Sequence, residues 1–143
     1  MEKKELVRKV ISHELLGVIA TVSSDGMKPE AALVAVTETD DLEIVFGTRN
    51  TTQKYKNIQK NPNVSFVIGT SSEQKITVQY AGLARELADK ELDTYQRLHI
   101  KKHPGSKKFV FSPEERMFIA SPVWIRYSDY KSEPPVIFEL EAF

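Results

Sequence analysis

The stretch from Thr48 to Lys54 carries hydroxyl and cationic side chains where a predicted strand gives way to a helix beginning near Thr52. A helix start offers unpaired N–H groups and the positive end of the helix dipole, and phosphate is the usual anion bound there. Threonine hydroxyls can orient phosphate oxygens, while Arg49 and Lys54 can neutralise their charge. These residues predict a site for a small phosphorylated ligand. An ordinary N-cap, for which Asn and Thr are favoured, is the competing interpretation.

The remaining reactive residue types form no catalytic set. His99 and His103 have the i, i+4 spacing of a two-histidine metal site, but the accompanying glutamate motif is missing, and His103 precedes Pro104 at a predicted helix end. A cation is favoured there by the helix dipole, so we assign no metal site. The sequence has no cysteine, no Gly-x-Ser-x-Gly elbow and no Walker or dinucleotide glycine pattern. A phosphate site without a catalytic side chain indicates that a cofactor performs the chemistry.

Length and charge restrict the class of protein. The 143 residues fit one domain spanning residues 1–143, and 20 basic residues balance 20 acidic ones. Nucleic-acid and anionic-membrane binders usually carry a basic surplus, so neither partner is expected. No stretch approaches the ~20 apolar residues of a membrane span. The amphipathic N-terminal segment does not resemble a signal peptide, and a cytoplasmic domain is expected.

Hydrophobic periodicity predicts antiparallel strands with helices inserted between them. Strands are expected at Gly17 to Val22, Glu30 to Val36, Leu42 to Phe46, Val64 to Ile68, Lys75 to Arg85, Met117 to Ala120, Val123 to Tyr127 and Val136 to Leu140. Helices are expected from the N-terminus to near His13, from Thr52 to Asn61 and from Asp89 to Lys102. An Asp25-Gly26 turn, an acidic turn at Glu38 to Asp41, a polar loop at Gly69 to Glu73 and a bulge at Gly82 complete the pattern. The meander of the first three strands favours a small closed barrel, mainly β with flanking helices.

The order of several short motifs resembles a known family. They are the strand and turn at Gly17 to Gly26, the strand Pro29 to Val34, the segment Ile44 to Thr48, the helix start Gln53 to Ile58, and the helix stop Asn61 to Ser65. This set resembles the pyridoxamine 5′-phosphate oxidase-like FMN-binding split barrels, in their general stress protein and flavin reductase branch. The similarity is close from Leu15 to Ile68 and looser through Gly82 and the strand Trp124 to Tyr127.

The resemblance implies a six-stranded antiparallel split β-barrel that forms a homodimer with FMN at its interface. It places the FMN phosphate on Thr48, Thr52, Gln53 and Lys54. Gln53 stands where an arginine is more usual, which implies either a lower phosphate affinity or compensation by Arg49. It places the flavin ring beside the backbone of Glu30, Ala31, Ala32 and Leu33. Gln79 and Trp124 are the candidates contributed by the partner subunit. Their alternatives are a solvated sheet face for Gln79 and core filling for Trp124.

The implied activity is oxidation and reduction of an unknown small molecule, with an electron donor such as NAD(P)H. The chain ends Pro134 to Phe143 without the Arg-x-His substrate motif of true pyridoxamine phosphate oxidases, so vitamin B6 oxidation is not expected. One alternative is a non-enzymatic FMN-binding electron carrier. Another is a relative that binds haem or a deazaflavin, in which His99 or His103 would serve as the axial ligand for haem.

Overall fold

The first hairpin forms from two alternating apolar stretches on either side of an Asp-Gly turn. In the computed structural model, which describes residues 2–69, 73 and 75–143, β1 (Leu16–Val22) pairs antiparallel with β2 (Pro29–Ala35). Gly26 takes the positive φ of 76° that the turn requires. The Asp25 carboxylate accepts a hydrogen bond from the Ser23 hydroxyl at 2.6 Å. The predicted turn is confirmed.

The other elements mostly match their predicted bounds. The remaining strands are β3 (Thr37–Glu38), β4 (Ile44–Arg49), β5 (Asn63–Ile68), β6 (Ile76–Glu86), β7 (Glu115–Asp129) and β8 (Val136–Leu140). The helices are α1 (Lys3–His13), α2 (Gln53–Lys60), α3 (Asp89–Lys102) and α4 (Lys107–Val110), with a 3-10 turn at Pro104–Ser106 before α4. The predicted polar loop at Gly69 to Glu73 falls largely outside the described residues. None of the helices in the described part of the chain is long and apolar enough to cross a membrane.

Three sequence predictions need correction. The third predicted strand was placed at Leu42 to Phe46, but Leu42 adopts a positive φ of 62° in the preceding turn and β4 begins at Ile44. Ser121-Pro122 does not divide β7, which continues through both residues. The resemblance implies six strands, whereas the described part of the chain has eight, one of which is the two-residue β3 that is too short to show any periodicity.

The sheet closes on itself because its two outermost strands are consecutive in the chain. The strand order is β2-β1-β5-β6-β7-β4-β3, with β8 beside β7. β2 and β3 are separated by Val36 alone, so the chain itself joins the two ends of the sheet. The result is the predicted antiparallel split barrel. The predicted meander is wrong in one detail, since β4 pairs with β3 and β7 and not with β2, which leaves the split between β2 and β4.

Aromatic side chains fill the barrel. Phe46 stacks on Phe118 with ring centroids 5.5 Å apart and meets Phe66 edge to face at 5.6 Å. Tyr80 packs against Phe66, and its hydroxyl donates to the carbonyls of Leu42 at 2.8 Å and Ala120 at 3.0 Å. Burial raises the pKa of Tyr80, so its hydroxyl remains a neutral donor. The barrel interior is therefore packed with side chains, and a ligand must bind outside it.

Gly82 allows β6 to approach β7 closely. The register between these strands shifts between Ala81 and Gly82, which confirms the predicted bulge. A Cβ atom at Gly82 would lie 2.6 Å from the Ser121 carbonyl oxygen. The absence of a side chain here keeps β7 continuous past Pro122 and brings Trp124 opposite Ala81.

Candidate functional site

The hydroxyl cluster at the start of α2 forms as the sequence predicted. Thr52 is the N-cap residue, and its Oγ1 accepts a hydrogen bond from the Tyr55 backbone N–H at 3.2 Å. The Thr48 and Thr52 hydroxyls are 2.7 Å apart, and the Thr52 hydroxyl also donates to the Arg49 carbonyl at 2.9 Å. The capping interpretation is thereby confirmed. The N–H groups of Gln53 and Lys54 in the same turn have no intrahelical partner and can still bind an anion.

The charges around this helix start are balanced between cations and carboxylates. Lys54 is half-buried, and burial lowers the pKa of its ammonium group, while the nearby Glu115 carboxylate acts in the opposite direction. Burial raises the pKa of Glu115, against the effect of Arg49 and Lys54. Arg49 is exposed and lies 4.0 Å from the Glu114 carboxylate. A phosphate dianion at this position would give both cations a stronger partner than they have within the chain.

A cavity of about 320 Å³ is lined by Arg49, which lies between Thr48 and Thr52 in the sequence. Its lining also includes residues of β4 and β7 (Gly47, Glu115 and Met117), Ala35 of β2, and Phe109 and Val110 of α4. A Cβ atom at Gly47 would come within 2.7 Å of Glu115 Oε1, so the missing side chain leaves room for that carboxylate over the strand. The volume lies at the lower end of the range of about 300–1,000 Å³ for small-molecule pockets.

The outside of the sheet carries two rows of side chains, which we call the outer face; most are small or apolar, and Gln79 and Arg126 are the polar exceptions at one end of the first row. Cross-strand register aligns Leu33, Val18, Val67, Gln79 and Arg126 in one row, and Ala31, Ala20, Ser65, Ala81 and Trp124 in the other. Leu33 at the β2 end is 65% exposed and Val67 is 39% exposed. Exposed apolar side chains of this kind are typical of an interaction surface.

The predicted ring strand divides its side chains between two surfaces. Ala31 and Leu33 point to the outer face, whereas Ala32 packs against the barrel core and Glu30 is half-buried beside α2. β2 is an edge of the sheet in the described part of the chain and pairs with β1. Its free edge leaves backbone N–H and C=O groups open to a ligand, which is the role the resemblance gave this strand.

Gln79 and Trp124 lie on the outer face with Ala31 and Leu33. Gln79 is exposed and Trp124 is partly exposed, while the neighbouring Ile125 is the residue of β7 that enters the core. Core filling is therefore the wrong interpretation of Trp124. Within one chain both residues are separated from β2 by β1 and β5, so one subunit does not place them at the split.

The two histidines of α3 are hydrogen-bonded within the fold. His99 is buried, and its Nδ1 is 2.8 Å from the Thr37 hydroxyl. The Nε2 atom of His103 is 2.9 Å from the Val36 carbonyl. Burial lowers the pKa of His103 and brings that of His99 to about 4, with His103 and Lys102 adding to the effect on His99. His99 is thus neutral near pH 7, and His103 is the C-cap residue of α3, at the helix end that the sequence predicted.

Asn57 is a polar residue that the sequence analysis missed. It lies in α2 beside the core residue Ile58 and is fully buried. Its Nδ2 group donates to Thr21 Oγ1 at 2.9 Å and to Glu30 Oε1 at 2.8 Å. Its Oδ1 atom has no hydrogen-bond partner among the described residues. An asparagine on the apolar face of a helix was the available signal, because Asn is an unfavourable residue in a helix interior.

Comparison with known proteins identifies relatives of the whole barrel. Residues 4–128 match the family model described as pyridoxamine 5′-phosphate oxidase. No curated protein matches the sequence. Among solved structures, general stress protein 26 from Bacillus anthracis superposes with a TM-score of 0.74 at 23% identity, covering 98% of this chain and 100% of that one.

Two further solved structures differ in the group that their descriptions mention. A pyridoxamine 5′-phosphate oxidase-related, FMN binding protein from Nostoc punctiforme has a TM-score of 0.69 at 14% identity and covers 100% of this chain and 98% of its own. A heme binding protein from Mycobacterium smegmatis has a TM-score of 0.85 at 17% identity and covers 99% of this chain. The present chain spans 58% of the length of that heme binding protein. At these identities the likeness establishes the fold.

Proposed function

This chain belongs to the pyridoxamine 5′-phosphate oxidase family, and from that premise we propose that it is an FMN-binding oxidoreductase acting on a small molecule. The observation that carries the proposal is the arrangement around the split. The hydroxyls of Thr48 and Thr52 pair at the start of α2, near the half-buried Lys54. Arg49 of the same stretch lines a cavity that Ala35 borders from β2, the predicted ring strand. A ligand with a phosphate at one end and a flat ring at the other matches this combination.

The residues present suit the parts of FMN in chemical terms. The phosphate would be held by the Thr52 hydroxyl and by the backbone N–H groups of Gln53 and Lys54. The charges of Lys54 and Arg49 would neutralise it. The free backbone edge of β2 at Ala31 and Leu33 would bond the polar edge of the ring. When bound, FMN supplies a ring that takes up two electrons as hydride at N5 and releases them to an acceptor.

The chain's own contribution to such a reaction is orientation and exclusion of water. The β2 edge would fix the ring by hydrogen bonds, and the small side chains of Ala31 and Ala35 leave room beside the strand. Phe109 and Val110 of α4 contribute apolar side chains to the lining of the cavity. In such a site a small substrate and an electron donor such as NAD(P)H would approach an oriented ring. The cysteine-free sequence suits a reducing, cytoplasmic setting.

We further propose that a second copy of the chain covers the outer face and completes the site. Gln79 and Trp124 of the partner would then reach a ring held at β2, which one subunit cannot arrange. Static light scattering should give twice the 16.3 kDa chain mass. Leu33→Glu, which places a charge in the outer face, should give a monomer, whereas Phe143→Glu at the exposed C-terminus should leave the mass unchanged. A monomeric unmodified protein would contradict the shared site.

The visible absorbance spectrum tests the cofactor directly. Two flavin bands that remain with the protein through gel filtration after addition of FMN are expected. A protein that stays colourless and ignores FMN would overturn the proposal. The alternative function is a non-enzymatic electron carrier. Catalytic oxidation of NADH or NADPH by the FMN-bound protein would identify an enzyme instead.

Haem is the competing cofactor because a structural neighbour is described as binding it. The hydrogen bonds of His99 to Thr37 and of His103 to Val36 argue against it, since both imidazoles are engaged inside the fold. A sharp Soret band after addition of haemin, with no uptake of FMN, would favour haem. A deazaflavin bound in place of FMN would use the same phosphate site at the start of α2 and would differ only in its ring contacts.

A further inference from the structure

Asn57 connects the two elements that the proposed function assigns to the two ends of FMN. It lies in α2 behind the first turn, where Lys54 is three residues earlier on the same side of the helix. Its Nδ2 group donates to Glu30 Oε1 of β2 at 2.8 Å. Among the described residues, this is the side-chain hydrogen bond that joins α2 to β2.

The hydrogen bonds of the buried Asn57 amide are the interactions that favour a polar side chain at this position. The side chain is fully buried, and its Oδ1 atom has no partner among the described residues. A buried acceptor without a partner is unfavourable, and an apolar residue of the same size would avoid it. The Nδ2 group, in contrast, is used twice, on Thr21 of β1 and on Glu30 of β2. Thr21 and Glu30 are themselves direct cross-strand neighbours.

We propose that Asn57 is a positioning residue that holds the phosphate-binding turn of α2 at a fixed distance from the ring-binding edge of β2. This inference rests on the proposed function. A ligand held at both ends binds more tightly than the sum of its parts only when the two subsites are already spaced to fit it. The Asn57–Glu30 hydrogen bond supplies that spacing before the ligand arrives.

The test compares FMN with riboflavin, which has the ring and no phosphate. The ratio of their dissociation constants measures the gain from engaging both ends together. Asn57→Leu keeps the number and branching of the side-chain heavy atoms and removes the hydrogen bonds to Glu30 and Thr21. We expect it to raise the dissociation constant of FMN by about tenfold or more and that of riboflavin by less than about threefold, so the FMN to riboflavin ratio of dissociation constants rises. If Asn57 only stabilised the fold, Asn57→Leu would lower the thermal stability or weaken the binding of FMN and riboflavin equally.

Matched variants separate the connection to β2 from general packing. Thr21→Val removes the other acceptor of Asn57 and should leave the ratio unchanged. Glu30→Gln keeps an acceptor at Oε1 and should preserve FMN affinity, whereas Glu30→Ala should reproduce the loss seen in Asn57→Leu. The double variant Asn57→Leu/Glu30→Ala should be no weaker than either single variant, because both remove the same bond. Glu30→Ala also serves as the test variant if Asn57→Leu does not fold.

The outcomes distinguish this inference from the function on which it rests. If the unmodified protein binds neither flavin, the proposed function fails and the inference falls with it. If the unmodified protein binds FMN and both Asn57→Leu and Glu30→Ala keep the FMN to riboflavin ratio, the flavin function stands and the positioning role is overturned. Additive effects in the double variant would also overturn it.

Discussion

Replacing Lys54 with alanine is expected to weaken FMN binding by about 5- to 150-fold, corresponding to the roughly 1–3 kcal/mol of a charge-assisted hydrogen bond. The reason lies in the surroundings of the ammonium group. Lys54 is half-buried, and its pKa is lowered by that burial, so a phosphate would interact with it through a partly water-excluded environment. Isothermal titration with FMN gives the dissociation constant.

Three variants make the Lys54 result specific. Lys56→Ala removes the same charge from an exposed position of the same helix and should leave FMN affinity nearly unchanged. Glu115→Gln should bind FMN at least as tightly as the unmodified protein, because its carboxylate competes with the phosphate for Lys54 and Arg49. Thr52→Val should weaken binding less than Lys54→Ala does. An unaltered dissociation constant in Lys54→Ala would exclude Lys54 from the site and leave the α2 start as a simple cap.

Acidification is expected to remove about 3 kcal/mol of folding stability through His99, since a pKa difference of one unit corresponds to about 1.4 kcal/mol. Burial brings the folded-state pKa of His99 to about 4, from an ordinary value of 6.5. The unfolded chain therefore binds a proton at a pH where the folded protein does not. The stability from neutral His99 is complete above about pH 6.5 and is lost as the pH falls towards about 4.

Urea unfolding at fixed protein concentration, repeated from neutral pH down to about pH 4, measures this loss. The control is His99→Gln, which removes the titrating ring and can still hydrogen-bond to Thr37. Its free energy of unfolding should depend less steeply on pH over the same range, even if it is lower at neutral pH. His103 contributes in the same direction, because burial also lowers its pKa. If the free energy of unfolding instead rises as the pH falls towards about 5, the C-terminal end of α3 must favour the imidazolium form of His99.

Local sequence patterns predicted the elements whose periodicity is long enough to detect. The bounds of α3 and β8 match the predicted residues, and β1, β2 and β5 begin within a residue of theirs. β3 was missed because two residues carry no alternation, and α4 was missed because Pro104 and Gly105 mark a helix end while the four-residue helix beyond them is too short to show a pattern.

The candidate site was predictable only in its local part. The hydroxyls of Thr48 and Thr52 are close in sequence, so their pairing follows from a strand that ends just before a helix. The link from Asn57 to Glu30 joins residues 27 positions apart, and the one from His99 to Thr37 spans 62. No local pattern encodes such pairs, because they depend on how the barrel closes. The same reason hid the alignment of Gln79 with Leu33 across four strands.

The pairing of β4 with β7 has a consequence for the chain while it is being synthesised. β4 acquires one neighbour, β3, as soon as the short turn between them forms, but its other neighbour begins only at Glu115. At roughly 5–20 residues per second, the ribosome leaves that edge of β4 open for several seconds. The open edge presents Val45 and its hydrogen-bonding groups to any other nascent strand. Translation between Arg49 and Glu115 is thus the period in which this protein is most exposed to strand-to-strand association.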